Sequence, residues 1–446
     1  MEKINGYWTV TNERETRNFN ITKYWTDNDD RFNLRPKELT FDLYRNGVLC
    51  DTKTVSIRRE NDRWEYTWIF KNVIVYDEYG QPYTYEIREH ISDEYTEEKN
   101  GVYTTNSGGT GTIHVYMYNK QLGILDVKKV LEGSDAATAF GFTVTLKKED
   151  GTPFVPVDSA GKPTTEIVVH RFTTDTQTYT RETLTPNAQG EVHISVHPGE
   201  TLRLLRLPYG TKWAVKEDEN GYTTVSNPNP ASGTINQESI STATFTNTAK
   251  PVDVTLGVHK NVVGSSAETP FEFRITAKTD NAPMPAESTV TINGAGNKNF
   301  APITFTNVGT YVYEVTEVAG NAGGYQYDDS TYTVTVVVTD QDGQLTAAKT
   351  VKKGDAEAEK LVFTNTYTAT GSLNLTATKA VNGEAPRDDQ TFDFELKNGA
   401  DTPAVSQTKQ NAGGNVTFDR IDYTLADAGR TYTYTVKETT ASGNGM

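Results

Sequence analysis

At 446 residues, 35% hydrophobic and 10% aromatic, the chain is too long for one core and suits three or four domains, each with a small core of its own. Its formal charge of −16 is spread along the chain, which argues against nucleic acid and anionic membrane as partners. Cys50 is the only cysteine, so neither an intrachain disulfide nor a cysteine-based zinc site can form, and no run of 18 apolar residues exists to cross a membrane.

Threonine, tyrosine, glycine and proline are plentiful and helical periodicity is scarce, so the expected class is all-β. Residues 1–15 read as the tail of a preceding domain, with Gly6, Trp8, Val10 and Asn12 alternating like a closing strand. Residues 16–121 form the first whole unit. Phe19, Ile21, Lys23 and Trp25 share one strand face, Asn46-Gly47 marks a two-residue hairpin, and Ile113, Val115, Met117 and Asn119 share another face. Residues 122–249 repeat the plan with an enlarged middle around Pro153–Thr183; they open on Leu125, Val127 and Lys129 and close on Ala243, Phe245 and Asn247. Residues 250–368 do so again, from Val258 and Lys260 to Phe363 and Asn365. Residues 369–446 start a fourth unit that stops eight residues after Glu438, before any closing strand, so the parent chain is expected to be longer. Units of this size with many short strands fit tandem immunoglobulin-like β-sandwiches.

One junction recurs four times: a strand ending in Asn, a hinge, then a strand with Lys in its apolar phase. Asn12 precedes Lys23, Asn119 precedes Lys129, Asn247 precedes Lys260 and Asn365 precedes Lys379, at gaps of 11, 10, 13 and 14 residues. Each complete unit also carries a Glu ending an apolar row: Glu89, Glu217 and Glu317, with Glu438 in the fourth. The order Lys, Glu, Asn is constant while the spacing varies, as expected for residues that meet in space from three separate strands. Burial pushes a lysine pKa down and a carboxyl pKa up, by up to about 3–5 units when complete. A desolvated lysine is then a neutral nucleophile, and a protonated Glu can polarise the Asn amide and shuttle protons. Attack on the amide carbon expels ammonia and leaves a Lys–Asn isopeptide bond, once per domain. The plain alternatives are a solvated strand-end Lys with its stem on the core, and a buried Lys–Glu ion pair hydrogen-bonded to Asn with no covalent bond.

ITKYWTDNDDRFNLRPKELTFDLYRNG followed by YTYEIRE resembles the Cna protein B-type (CnaB) domain of Gram-positive surface proteins. The resemblance implies a bond between Lys23 and Asn119 assisted by Glu89. GYWTVTN is similar to the closing strand of another such domain, with Asn12 as an acceptor whose lysine lies outside this segment. The unit with ITFTNVGTYVYEVTE, TYTVTVVV and LVFTNTY resembles the streptococcal FctA-type pilin isopeptide domain, which implies roles for Lys260, Glu317 and Asn365. TYTYTVKE carries the same likeness into the fourth unit, giving Lys379 and Glu438 without their acceptor. VKKVLEG, WAVKEDENGYT and ATFTNT resemble a related surface repeat, implying Lys129, Glu217 and Asn247. What the likeness implies is a structural stalk on a Gram-positive cell wall or pilus, reached by secretion and sortase anchoring. The signal peptide and sorting signal are absent from this stretch, as is a pilin-type Tyr-Pro-Lys motif. Neighbouring domains of a longer chain are the implied partners. The alternative is an adhesin module contacting host matrix protein or glycan through its loops.

No turnover enzyme, cofactor or metal is expected. His193 and His197 in HISVH lie on one strand face about 13 Å apart, too far to share an ion. Asp27 to Asp30 would need Gly rather than Phe32 for a calcium loop and reads as solvated. Cys50 follows a hairpin turn with no histidine pattern around it.

Overall fold

The computed structural model describes residues 13–57, 67–98, 111–173, 178–265, 267–399 and 404–440 in full, and the backbone alone at 2–4, 7–9, 59–60, 63–64, 99 and 102–104. The chain is all-β and divides into two compact units, Met1–Lys250 with Asp340–Leu345, and Pro251–Thr339 with Thr346–Met446. Asn12 lies outside the described residues; ahead of it the backbone of Glu2–Ile4 pairs with Tyr7–Thr9.

Within the first unit, two four-stranded sheets face each other across a core that includes Phe19, Ile21, Phe41, Phe70 and Val115. The opening strand Thr16–Thr26 runs parallel to the closing strand Ile113–Gln121, with Lys23 opposite Met117 and Trp25 opposite Asn119. In the other sheet, Thr84–Glu89 lies beside Glu38–Arg45 and sets Glu89 opposite Phe41. The expected hairpin joins Glu38–Arg45 to Val48–Ser56, and Asn46 and Gly47 take the positive φ of 50° and 79° that a two-residue turn of this hand requires.

A second sandwich follows in the same unit, after the single residue Leu122. Its opening strand Gly123–Glu132 runs parallel to Ser241–Thr248, with Lys129 opposite Phe245 and Leu131 opposite Asn247. The closing strand shows why such sequences fold as strands. Ser241, Ala243, Phe245 and Asn247 point inward and the threonines between them are partly exposed, so Asn247 belongs to the buried row. The enlarged middle contributes Ile167–Thr173 and Thr180–Leu184, which extend the sheet to six strands. Phe142 and Phe245 meet edge-on at 5.0 Å across the core, each burial worth about 1.5–3 kcal/mol.

The second unit holds a third sandwich of the same plan. Gly257–Val263 runs parallel to Leu361–Tyr367, with Lys260 opposite Phe363 and Val262 opposite Asn365. Pro270–Ala277 sets Phe273 opposite Glu317. Beyond it, residues 369–440 form shorter sheets around Phe392, Phe394, Leu396 and Val416.

The first two sandwiches are joined by a partly buried polar contact that pattern reading does not reveal. Asp93 accepts from Arg181 at 2.7 Å, contacts His170 Nε2 at 3.0 Å and pairs with Arg206 at 3.3 Å. Leu34 packs on Ile124, Val168 and Leu205 beside it. Burial alone would raise the Asp93 pKa, but His170 and the arginines outweigh it and hold it at about 2. A carboxylate depressed on folding stabilises above its unfolded pKa and loses that contribution as pH falls through the folded value. The joint is therefore expected to be complete above about pH 4 and to loosen as pH drops toward 2. Small-angle scattering of residues 16–249 checks this: Asp93→Asn should show the loosened state already at neutral pH.

Candidate functional site

The sandwich plan brings the three residue types together from three strands. In the first sandwich Lys23 Nζ donates to Glu89 Oε2 at 2.6 Å, and Asn119 Nδ2 donates to Glu89 Oε1 at 2.9 Å. In the second, Lys129 Nζ lies 3.1 Å from Glu217 Oε1, which also accepts from Asn247 Nδ2 at 2.7 Å. In the third, Lys260 Nζ donates to Glu317 Oε2 at 2.7 Å and Asn365 Nδ2 to Glu317 Oε1 at 2.6 Å. The lysines and asparagines are essentially inaccessible, at 0–1% exposure. The solvated strand-end reading is thereby excluded for these three lysines.

In all three sites the carboxylate bridges the lysine nitrogen and the amide nitrogen. The sequence-based mechanism has Glu donating to the amide oxygen; here it faces the nitrogen that would leave, a position suited to passing a proton from one nitrogen to the other. Burial lowers the pKa of Lys23, Lys129 and Lys260 against the opposing pull of their glutamates. Burial likewise raises Glu89 although Lys23 opposes it. Both shifts favour the neutral amine and neutral acid needed for attack.

A constant register positions these groups. Each lysine stands across from the residue two before its asparagine on the parallel closing strand. Each glutamate stands across from a phenylalanine: Phe41, Phe142, Phe273 and, in the fourth unit, Phe394 for Glu438. A second aromatic covers each lysine nitrogen. Phe140, Phe271 and Phe392 lie 4.3, 4.7 and 4.3 Å from Lys129, Lys260 and Lys379, and Trp25 lies 4.8 Å from Lys23. The repeated Phe-x-Phe of FGF, FEF and FDF is the signal that would have found both partners. Its first ring shields the amine from water and its second lies opposite the acid.

In the fourth unit Lys379 and Glu438 pair at 2.9 Å but remain 13% and 30% exposed. The structure places the other candidates outside any such cluster. His193 is exposed and bonds Thr143, and His197 contacts Glu200. No group of three metal-ligating side chains occurs among the described residues. Burial raises the Cys50 thiol pKa, against thiolate chemistry. The solvated reading of Asp27–Asp30 holds for Asn28 and Asp29, which are exposed, and is corrected at Asp27, which is buried, gripped by Arg35 at 2.7 and 2.5 Å and by the Tyr95 hydroxyl at 2.9 Å. Arg35 neutralises the carboxylate, so its burial is tolerated.

Three family models match separate stretches of the chain. Residues 19–107 match the Cna protein B-type domain, residues 256–368 and 375–446 the Spy0128-like isopeptide containing domain (FctA), and residues 123–249 a domain of unknown function, DUF7601. The chain thus carries domains of the Cna protein B-type and FctA families. A collagen adhesin of Staphylococcus aureus is 32% identical over 107 residues, which is 24% of this chain and 8% of the adhesin's length. Among solved structures, two B repeat units of the S. aureus collagen-binding protein are 18% identical, covering 96% of this chain and 94% of theirs, with a TM-score of 0.25. The major pilin of Streptococcus pyogenes is 17% identical, covering 52% of this chain and 98% of its own, with a TM-score of 0.21. Scores this low say nothing of function.

The paired shifts at Lys23 and Glu89 have opposite effects on stability in a variant where both groups stay titratable, such as Asn119→Ala. A raised Glu89 loses its stabilising contribution as pH climbs above the unfolded value of 4.5. A lowered Lys23 restores stability as pH approaches 10.5 from below, where only the unfolded lysine still holds its proton. Denaturant titrations of the first sandwich should therefore show a stability minimum between the two shifted pKa values. Adding Lys23→Met and Glu89→Gln should flatten it.

Proposed function

We propose that this chain is a stretch of the load-bearing stalk of a Gram-positive cell-surface adhesin or pilin, displayed on the cell wall or pilus. Its domains span residues 16–121, 122–249, 250–368 and 369–446. Intramolecular isopeptide bonds link Lys23 to Asn119, Lys129 to Asn247 and Lys260 to Asn365, assisted by Glu89, Glu217 and Glu317. The observation that carries the reading is the recurrence of one buried Lys–Glu–Asn contact on parallel first and last strands in three sandwiches. The kinds of domain matched, pilin and surface-adhesin repeats, support the location and a structural rather than turnover role.

The chemistry closes without a cofactor. Nζ attacks the Asn side-chain carbon, Glu relays a proton from Nζ to Nδ2, the C–Nδ2 bond breaks and ammonia departs. Desolvation supplies the neutral amine. Lys379 and Glu438 are the corresponding half-site of the fourth domain. A host matrix protein is the partner suggested by the collagen adhesin match, with a glycan as the alternative, and it would be held by a domain this stalk carries.

Intact-mass spectrometry tests the reading. A deficit of one ammonia for each of the first three sandwiches is expected, and Glu89→Ala or Glu317→Ala should leave its sandwich folded and restore one ammonia of mass. A full unmodified mass in the parent chain would remove the covalent account and leave buried ion pairs.

A further inference from the structure

The three acceptor amides differ in one contact. Asn119 Oδ1 and Asn247 Oδ1 are buried without a hydrogen-bond partner. Asn365 Oδ1 accepts from the backbone N–H of Asp328 at 2.8 Å, while its Nδ2 donates to Glu317. These two contacts together determine which end of the amide is oxygen.

The Asp328 side chain holds that N–H in place. Its Oδ2 accepts from the backbone N–H of Thr364 at 2.7 Å, and Thr364 is the neighbour of Asn365 on the closing strand. Its Oδ1 accepts from the Ser330 N–H at 2.9 Å and from the Ser330 hydroxyl. The segment following Tyr325–Gln326 is thus pinned to the closing strand one residue from the reacting amide. With Glu317 occupied by the two nitrogens, this backbone donor is the contact aimed at the carbonyl oxygen.

We propose that the Asp328 N–H is an oxyanion donor that makes the third sandwich weld ahead of the first and second, with the Asp328 carboxylate as its positioning group. The proposal rests on the Lys–Asn reading above. When Lys260 Nζ bonds to the Asn365 carbon, the carbonyl electron pair moves onto Oδ1. The N–H stabilises that charge until the pair returns, the C–Nδ2 bond breaks and ammonia leaves with the proton relayed by Glu317. Amine plus primary amide gives secondary amide plus ammonia, with no other reactant. A single preorganised donor of this kind is worth about 10²–10³-fold in rate.

The test follows bond formation in all three sandwiches of one molecule. The full chain is made by cell-free synthesis, quenched at intervals and digested, and the three branched peptides are quantified by mass spectrometry. The third should form fastest. Asp328→Pro, which deletes the N–H, should slow it about 10²–10³-fold and leave the other two rates unchanged. Asp328→Ala keeps the N–H but loses the clamp and should fall between. A third bond no faster than the others in the parent chain overturns the proposal, as does a folded Asp328→Pro chain welding at the parent rate. If no branched peptide forms anywhere, the underlying Lys–Asn reading fails instead.

Discussion

A lysine, a glutamate and an asparagine share one dry contact in each complete sandwich, and the remaining architecture serves to make that contact unavoidable. The opening and closing strands must be parallel neighbours so that Lys and Asn face the same interior. The second sheet must present Glu opposite a phenylalanine, at the depth where its two oxygens reach both nitrogens. An aromatic ring then closes the site above the amine. Removing an ion pair from water is expensive, and attraction inside the protein often fails to offset it. A site that instead joined the lysine to Asn as a neutral amide would remove the buried ammonium charge and leave the glutamate protonated beside the new bond. That gives a physical reason for placing lysine where the core pattern asks for leucine or valine.

The same contact explains the order of strands. Tension on a chain of sandwiches enters each at its opening strand and leaves at its closing strand. In the first two domains these lie one residue apart in sequence across the junction at Leu122. The proposed Lys–Asn bond between those two strands would carry load past every strand between them. It would also constrain the unfolded chain as a disulfide does, and large closed loops gain most in the entropy account. A chain with a single cysteine has no disulfide route to that end. The polar joint at Asp93 complements this by fixing one sandwich against the next.

Much of this was legible in the residues alone. The strict alternation of STATFTNT and LVFTNTY placed each Asn on an apolar row, and the rows through Val127–Lys129 and Val258–Lys260 did the same for Lys. Other features were hidden for separate reasons. Phe140, Phe271 and Phe392 each look like any core residue when taken singly, and only the repetition of Phe-x-Phe sets them apart. Asp27 belongs to an acidic loop that reads as solvated, because its partner Arg35 lies eight residues on and off any strand period. The Asp328 donor is a backbone group and leaves no mark in composition. The extra strands at Ile167–Thr173 and Thr180–Leu184 were visible only as added length, since an edge extension has no pairing signal of its own.

Single-molecule pulling from the two ends of the chain tests the central claim most directly. The account predicts that the first three sandwiches extend by no more than the residues outside their Lys–Asn spans, at any force the backbone survives. Stepwise release of the segments between Lys23 and Asn119, Lys129 and Asn247, and Lys260 and Asn365 would contradict it.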